Sequence, residues 1–391
     1  MRLLFILHCL VLTLTNTGCQ SREESPSETV SSASSKNRSD DHTLKPDTST
    51  IQLKFTTGIR SILEDRHGNT WFGSHNEGLA KLSEGKFTYY TTESGLSDNQ
   101  VRSIYEAQDG TVWFECGQGL SVFDGKQLMI VEHRDYSRRN EWKIEPGDLW
   151  FKGNESIGYN TGGGTAGHPG QIQFGLDTGE KTPGVYRYAN ERLYYHAFPA
   201  FSMEGNGNSY SISTPFARGK NHQIWFGMYS AVVGYDGNAF TVFTDDSLNF
   251  NATTGYLHVR SLYEDSRGIL WIGNNGIGVL RYDGNEVINF SKQHDLVSEG
   301  SQNRGGFRSP TGSLEHVFAI GEDRVGNIWF GDRDTGAWRF DGKTVKNYSL
   351  KNGLPVHHIW QIYNAKNGEL WFAMGDGCVQ KFNGRNFERV F

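Results

Sequence analysis

Seven of the ten tryptophans sit in one recurring phrase, Trp-[Phe/Ile] followed by a small or polar residue. The copies are Trp71-Phe72-Gly73, Trp113-Phe114-Glu115, Trp150-Phe151-Lys152, Trp225-Phe226-Gly227, Trp271-Ile272-Gly273, Trp329-Phe330-Gly331 and Trp371-Phe372-Ala373. They stand 42, 37, 75, 46, 58 and 42 residues apart. A spacing near 42 marks an array of like units, which constrains the fold more than any single segment can.

The unit at residues 259–290 shows what one copy builds. A short apolar run, 259–263, ends in Glu264-Asp265, and the turn signal Ser266-Arg267-Gly268 follows. A β-branched and aromatic run at 269–272 leads to a Gly-rich bend at 274–278. A third run, 279–282, meets Asp283-Gly284, and a fourth, 287–290, closes the unit. Asp-Gly is a two-residue hairpin signal, because a type I′ turn needs positive φ at both central positions. The same place carries Glu84-Gly85, Asp124-Gly125, Asp236-Gly237, Asp341-Gly342 and Asn383-Gly384, with a degenerate Ala189-Asn190 in the third unit. Each unit therefore reads as a four-stranded antiparallel meander, strands A to D. A lone sheet of this size leaves a face bare, and packing like sheets radially covers it. The expected fold is all-β, a seven-bladed β-propeller of four-stranded antiparallel blades over residues 51–391. The repeat tryptophans fill the space between blades. Trp142, Trp338 and Trp360 stand outside that register and are free for other work.

The phrases Gly95-Leu96-Ser97-Asp98-Asn99-Gln100-Val101-Arg102-Ser103-Ile104-Tyr105-Glu106 and Val259-Arg260-Ser261-Leu262-Tyr263-Glu264-Asp265 resemble the two-component regulator propeller repeat, as does Gly353-Leu354-Pro355 before Ile359. The resemblance implies a β-propeller of the kind found in the periplasmic sensor part of hybrid histidine kinases. The chain ends with its seventh repeat, so the expectation is a sensor-like propeller without a signalling domain of its own. Trp-Phe repeats are also similar to those of virginiamycin B lyase, a seven-bladed propeller with a His/Glu site on one face. That resemblance implies an enzyme as the alternative. His75 with Glu77 is the nearest match here, and the Thr-Glu that follows Trp-Phe in that family is absent.

The start of the chain reads as an export signal. Met1-Arg2 precedes an apolar stretch to Leu14, then Asn16-Thr17-Gly18-Cys19. Gly18-Cys19 resembles a bacterial lipoprotein cleavage box, which makes Cys19 the expected lipid attachment site at the end of a signal peptide, 1–19; Asn16 stands where such boxes carry Leu. Residues 20–50 are rich in Ser, Thr, Asp, Glu and Lys, and suit a polar tether that buries too little to fold. The expected location is the bacterial cell envelope, exported and anchored to a membrane by lipid. A formal net charge of −6 argues against broad attraction to nucleic acid. Beyond Cys9 and Cys19, only Cys116 and Cys378 remain, separated by unit 1 in a closed ring, so two buried free thiols are expected rather than a disulfide.

In such a meander the B–C and D–A loops share one face, and this face carries the insertions. Trp271 to Gly278 takes 7 residues, whereas Trp150 to Gly184 takes 34. Residues 291–315, with Arg304, Phe307 and Arg308, and the segment after unit 2, with Arg134, Tyr136, Arg138, Arg139 and Trp142, are long D–A connections. Long loops on one face of a rigid disc form a binding surface. His258, His316 and His358 each lie 13 residues before their repeat tryptophan, which places them at the channel mouth on that face. Units 1 to 4 carry Gly58, Gln100, Ser137 and Ile212 there. Imidazoles spread along an arc do not converge to the ~2.0–2.1 Å that zinc requires, so ligand contact is favoured over a metal. The candidate ligand-binding residues are His258, His316, His358, His75, Glu77, Arg304, Arg308, Asp332 and Arg333. No catalytic residue, cofactor or metal site is expected, and the implied partner is a polar small molecule, a glycan or an envelope protein. Glu-Asp pairs such as Glu64-Asp65 and Glu264-Asp265 recur with the repeat and read as turn-adjacent structure.

Overall fold

The computed structural model describes residues 52–131, 142–152, 184–190, 192–198, 212–220, 223–301 and 308–391. All of them belong to one compact unit that begins at Thr43. They form seven antiparallel sheets in which neighbouring strands follow chain order. Six sheets have four strands; blade 3 shows three among the described residues, Leu149–Lys152, Gly184–Ala189 and Arg192–Ala197. The innermost strands of blades 1, 2, 5, 6 and 7 are Ile59–Glu64, Val101–Glu106, Val259–Glu264, Val317–Glu322 and Ile359–Asn364.

Each repeat tryptophan is buried between its own blade and the next. Trp71 packs with Val101, Ile104 and Phe114 of blade 2. Trp113, Trp150, Trp225, Trp271 and Trp329 do the same at the following interfaces. Trp371 of blade 7 packs with Ile59, Ile62 and Phe72 of blade 1. An open stack of seven sheets would have six such interfaces. The seventh makes the architecture a closed seven-bladed β-propeller.

Polar links repeat around the ring. The last glutamate of strand A holds the A–B turn of the preceding blade: Arg66 N donates to Glu106 Oε1 at 2.9 Å, and Ser266 N to Glu322 Oε2 at 2.8 Å. Lys366 N donates to Glu64 Oε2 and so ties blade 7 to blade 1. The aspartate that follows serves its own blade. Asp65 Oδ2 accepts from Trp71 Nε1 at 2.8 Å and Asp265 Oδ2 from Trp271 Nε1 at 3.0 Å. The Glu-Asp pairs are structural in these blades.

Among the described residues, the outer edge of blade 7 comes from the C-terminal side. Phe387–Arg389 pairs with Val379–Phe382 of its own blade. The segment before blade 1 is not a strand; Leu53 and Phe55 instead bury themselves in the interface of blades 7 and 1.

Two local expectations are corrected. Positive φ at both turn positions occurs at Glu84 and Gly85 (50° and 75°), where Ser83 pairs with Lys86. At Asp283-Gly284 only the glycine is positive (96°), and the closing pair is Tyr282 with Val287, so the loop has four residues. The Asp283 carboxylate accepts from Asn285 N and Glu286 N at 3.0 and 3.2 Å and holds that loop. The fourth run of blade 5 ends at Asn289, whose side chain caps Lys292 N and starts the helical turn Phe290–Gln293. Cys116 and Cys378 are free and buried as expected, and burial pushes their thiols up to about 11 and about 12.

Candidate functional site

Strand A of the blades faces the central channel, and a β-bulge decides what it shows there. The pairing of strands A and B slips between Ile59 and Ser61, Val101 and Ser103, Val259 and Ser261, Val317 and Ala319, and Ile359 and Gln361. The extra residue in each case is Arg60, Arg102, Arg260, Phe318 or Trp360. Bulges re-aim side chains, and these five together line one cavity of about 300 Å³ along the axis. All lie 11 residues before their repeat tryptophan.

The three guanidinium groups come from blades 1, 2 and 5, yet they act on one another. Burial, then Arg102 and Arg260, lower Arg60 to about 10. Burial also lowers Arg260, with Tyr229 opposing. Aromatic rings hold the cations. Arg60 lies 4.6 Å from the centre of the Trp360 ring, and Arg260 lies 5.1 Å from both Tyr229 and Phe318. Arg102 Nε donates to Gln100 Oε1 at 2.6 Å. Lys152 feels these charges. Burial, then Arg102, lower its ammonium to about 7, with Glu115 opposing and Arg60 and Arg260 adding to the fall.

None of the predicted histidines lines this cavity, but two of them stack on its Trp360. His358 stacks on Trp360 at 4.2 Å, and His75 stacks on the same ring at 5.5 Å. His75 Nδ1 also lies 3.4 Å from Arg60 Nη1. Gly58 occupies the matching register of blade 1, where a Cβ would stand 2.1 Å from Trp360 Nε1. His258 packs edge-on against Tyr229 at 5.1 Å. Burial, then the positive charge of Arg260 for His258 and of Arg333 for His358, hold both imidazoles down near 4, so they are neutral at pH 7. Nε2 of each is buried without a hydrogen-bond partner among the described residues. His316 is fully buried, with Nδ1 2.6 Å from Asn275 Oδ1.

The other predicted residues support the loops. Both Glu77 oxygens are taken by Thr56 and Thr57, through two backbone amides and two hydroxyls at 2.7–2.9 Å. Asp332 is fully buried and accepts from the amides of His316, Asp334 and Thr335; burial raises it to about 6. Arg333 is clamped on Asp334 at 3.0 and 2.8 Å. Arg308 is exposed. Arg304 and Cys19 lie outside the described residues, as do the leader, most of the tether and most of the long insertions. Among the described residues no group of three or more His, Cys, Asp or Glu side chains is arranged to hold a metal.

Of the three tryptophans outside the repeat register, Trp360 reaches the channel. Trp338 is core, with Nε1 on Thr335 Oγ1, and Trp142 stacks on Trp150 at 5.6 Å. The arginines were missed by looking for histidine alone. Their signal was present, since three arginines share one register.

Residues 95–114 and 255–276 match the family model of the two component regulator propeller. Those two segments are similar to that repeat. Solved structures agree on the fold. The extracellular domain of a hybrid two component system from B. thetaiotaomicron superposes with a TM-score of 0.58 at 18% identity over 84% of this chain. A second B. thetaiotaomicron domain of that description gives 0.52 at 16% identity over 88%. The chain spans 39% and 40% of the length of those two domains. Virginiamycin B lyase from Staphylococcus aureus, solved as an inactive variant with quinupristin, gives 0.53 at 14% identity, covering 86% of this chain and 97% of its own. No curated protein matches the sequence. The matched segments contain Arg102 and Arg260, so two of the channel cations lie within the repeat itself.

Proposed function

We propose that this propeller is an exported, envelope-tethered binding module, sensor-like in character, that receives a polar ligand or a partner's loop at the mouth of its channel. The observation that carries the reading is the set of side chains beside the channel. Buried imidazole nitrogens of His258 and His358 stand without partners, and one tryptophan is sandwiched between His75 and His358. Buried polar atoms left unpaired cost about 1–3 kcal/mol each, which an incoming hydrogen-bonding group relieves. Binding is favoured over lyase chemistry because Glu77 has both oxygens engaged in holding residues 56–57 and is not poised to move a proton for His75.

The test is thermal stabilisation by a panel of sugars, short peptides and metal ions. A hit should disappear in the His258→Ala and His358→Ala variants while their unliganded melting points stay within a degree or two of the native protein, roughly 0.5 kcal/mol or less. No hit, or a fall of several degrees without ligand, would count against the reading. Anchoring through Cys19 is part of the proposal. Cells fed a labelled fatty acid should label the native chain and not Cys19→Ala; equal labelling of both, or of neither, rules that anchor out.

A further inference from the structure

We infer that the ligand of this channel is a small multivalent oxyanion, one bearing two or more carboxylate, sulfate or phosphate groups. The inference rests on the binding reading above and narrows it to one chemical class.

The argument begins with charge. Arg60, Arg102 and Arg260 line one cavity of about 300 Å³, together with Arg218 and with Glu264, whose carboxylate already accepts from Lys220 N and Trp225 Nε1. Among the described residues none of the three is paired with a carboxylate. Arg102 is held by the neutral Gln100, Arg60 by the ring of Trp360, and Arg260 by the rings of Tyr229 and Phe318. Arg260 Nε is buried with no hydrogen-bond partner. Three like charges that share a half-buried cavity repel one another, and that repulsion is far less screened than on an open surface. A fold gains nothing from such a cluster. An anion placed among the three reverses the sign of every term.

Geometry then selects the kind of anion. A guanidinium has five N–H donors, so Arg60 beside His75 and Arg260 beside Tyr229 keep donors to spare for the paired oxygens of a carboxylate, sulfate or phosphate. The cations come from three blades around one axis, so a ligand with charges at separate ends meets more of them than a single compact anion does. The volume lies at the lower end of ligand pockets, which excludes a large polymer inside the channel. Lys152 occupies the place held by Gly73, Gly227, Gly273 and Gly331 in other blades; the same charges disfavour its ammonium despite Glu115 nearby, and an anion in the channel would favour it.

The probes are citrate, pyrophosphate and sulfate, with glucose as a neutral control, titrated calorimetrically into the full chain at low and moderate salt. Citrate or pyrophosphate should bind more tightly than sulfate, lose affinity as salt rises, and raise the melting point. Arg102→Gln and Arg260→Gln should each weaken binding by about tenfold or more. The same variants should melt at or above the native temperature without ligand, because each removes a repelling charge. A merely structural arginine would give the opposite sign. Preference for pyrophosphate over citrate assigns phosphate as the recognised group, and the reverse assigns carboxylate. Absence of binding by all three anions at millimolar concentration overturns the inference, as does binding that both glutamine variants retain. If a neutral sugar or peptide binds and is lost in the histidine variants alone, the binding reading stands and the anion assignment falls.

Discussion

At the scale of single residues, the acidic pairs show why position outranks residue type. Glu264 and Asp265 are neighbours, yet one faces the preceding blade and the other its own tryptophan. Asp265 is buried, and burial alone would raise its pKa. Hydrogen bonds from Trp271, Arg267 and the Ile269 amide outweigh that and leave it below the ordinary value. A carboxyl whose folded pKa is depressed stabilises the fold fully above its unfolded value, and that stability is lost as pH falls through the folded one. Asp265→Ala should therefore cost about 1–3 kcal/mol at neutral pH, since it strands the indole N–H and two turn amides. The deficit should narrow as pH drops below about 4, where the unfolded chain's carboxyl takes up a proton before the folded one does. Urea midpoints of both proteins across pH 3 to 7, roughly, would show this. A deficit equal at both ends would mean that the charge contributes nothing. The structural role of these pairs was legible from their recurrence with the repeat. The partner of each oxygen was not, because the glutamate bonds cross between blades.

At the scale of elements, turn positions were legible and turn types were not. Asp-Gly and Glu-Gly look alike as hairpin signals. A two-residue turn forms at Glu84-Gly85, whereas aspartate at 124, 236, 283 and 341 opens a four-residue loop. The shorter side chain explains the difference. An aspartate carboxylate reaches the amides two and three residues on, as Asp341 does with Lys343 and Thr344 at 2.9 and 2.7 Å, and pins the longer loop. The strand A bulge was hidden for another reason. One inserted residue leaves the apolar run unbroken in sequence, since Ile59 and Ser61 stay buried on either side of Arg60. What the sequence did offer was register. Histidine at 13 residues before tryptophan and arginine at 11 before it are two columns of one strand, and the second column carries the charge of the channel. Glycine after Trp-[Phe/Ile] has an equally local cause. A Cβ on Gly331 would stand 2.7 Å from Ile359 Cγ2 of the next blade. Three sites depart from glycine: Ala373 stays small, whereas Glu115 and Lys152 place an ionisable group of each sign there.

At the scale of the whole molecule, the question is how a ring closes without exchanging strands between its ends. Blade 7 completes its sheet from its own C-terminal residues, and the last amide–carbonyl contacts run between Val379 and residues 390–391. Closure rests instead on packing: Leu53 and Phe55 wedge into the seventh interface from the N-terminal side. Phe391 enters it from the other end, 5.0 Å from Phe72 and 5.3 Å from Trp371. The two ends thus hold the same seam. A closed ring and an open stack respond differently when that seam is weakened. In an open stack the terminal blade frays alone, because each repeat contacts only its neighbours. In a closed ring every blade has two neighbours, so loss at one interface is shared by all seven. Phe391→Ala should lower stability by about 1–2 kcal/mol, given that the ring is only partly buried. Tryptophan fluorescence and far-ultraviolet circular dichroism should shift together and remain one transition. Val325→Ala, at an exposed turn, should leave both unchanged. An early, separate phase in Phe391→Ala, with the main transition unmoved, would show that the seam does not carry the ring.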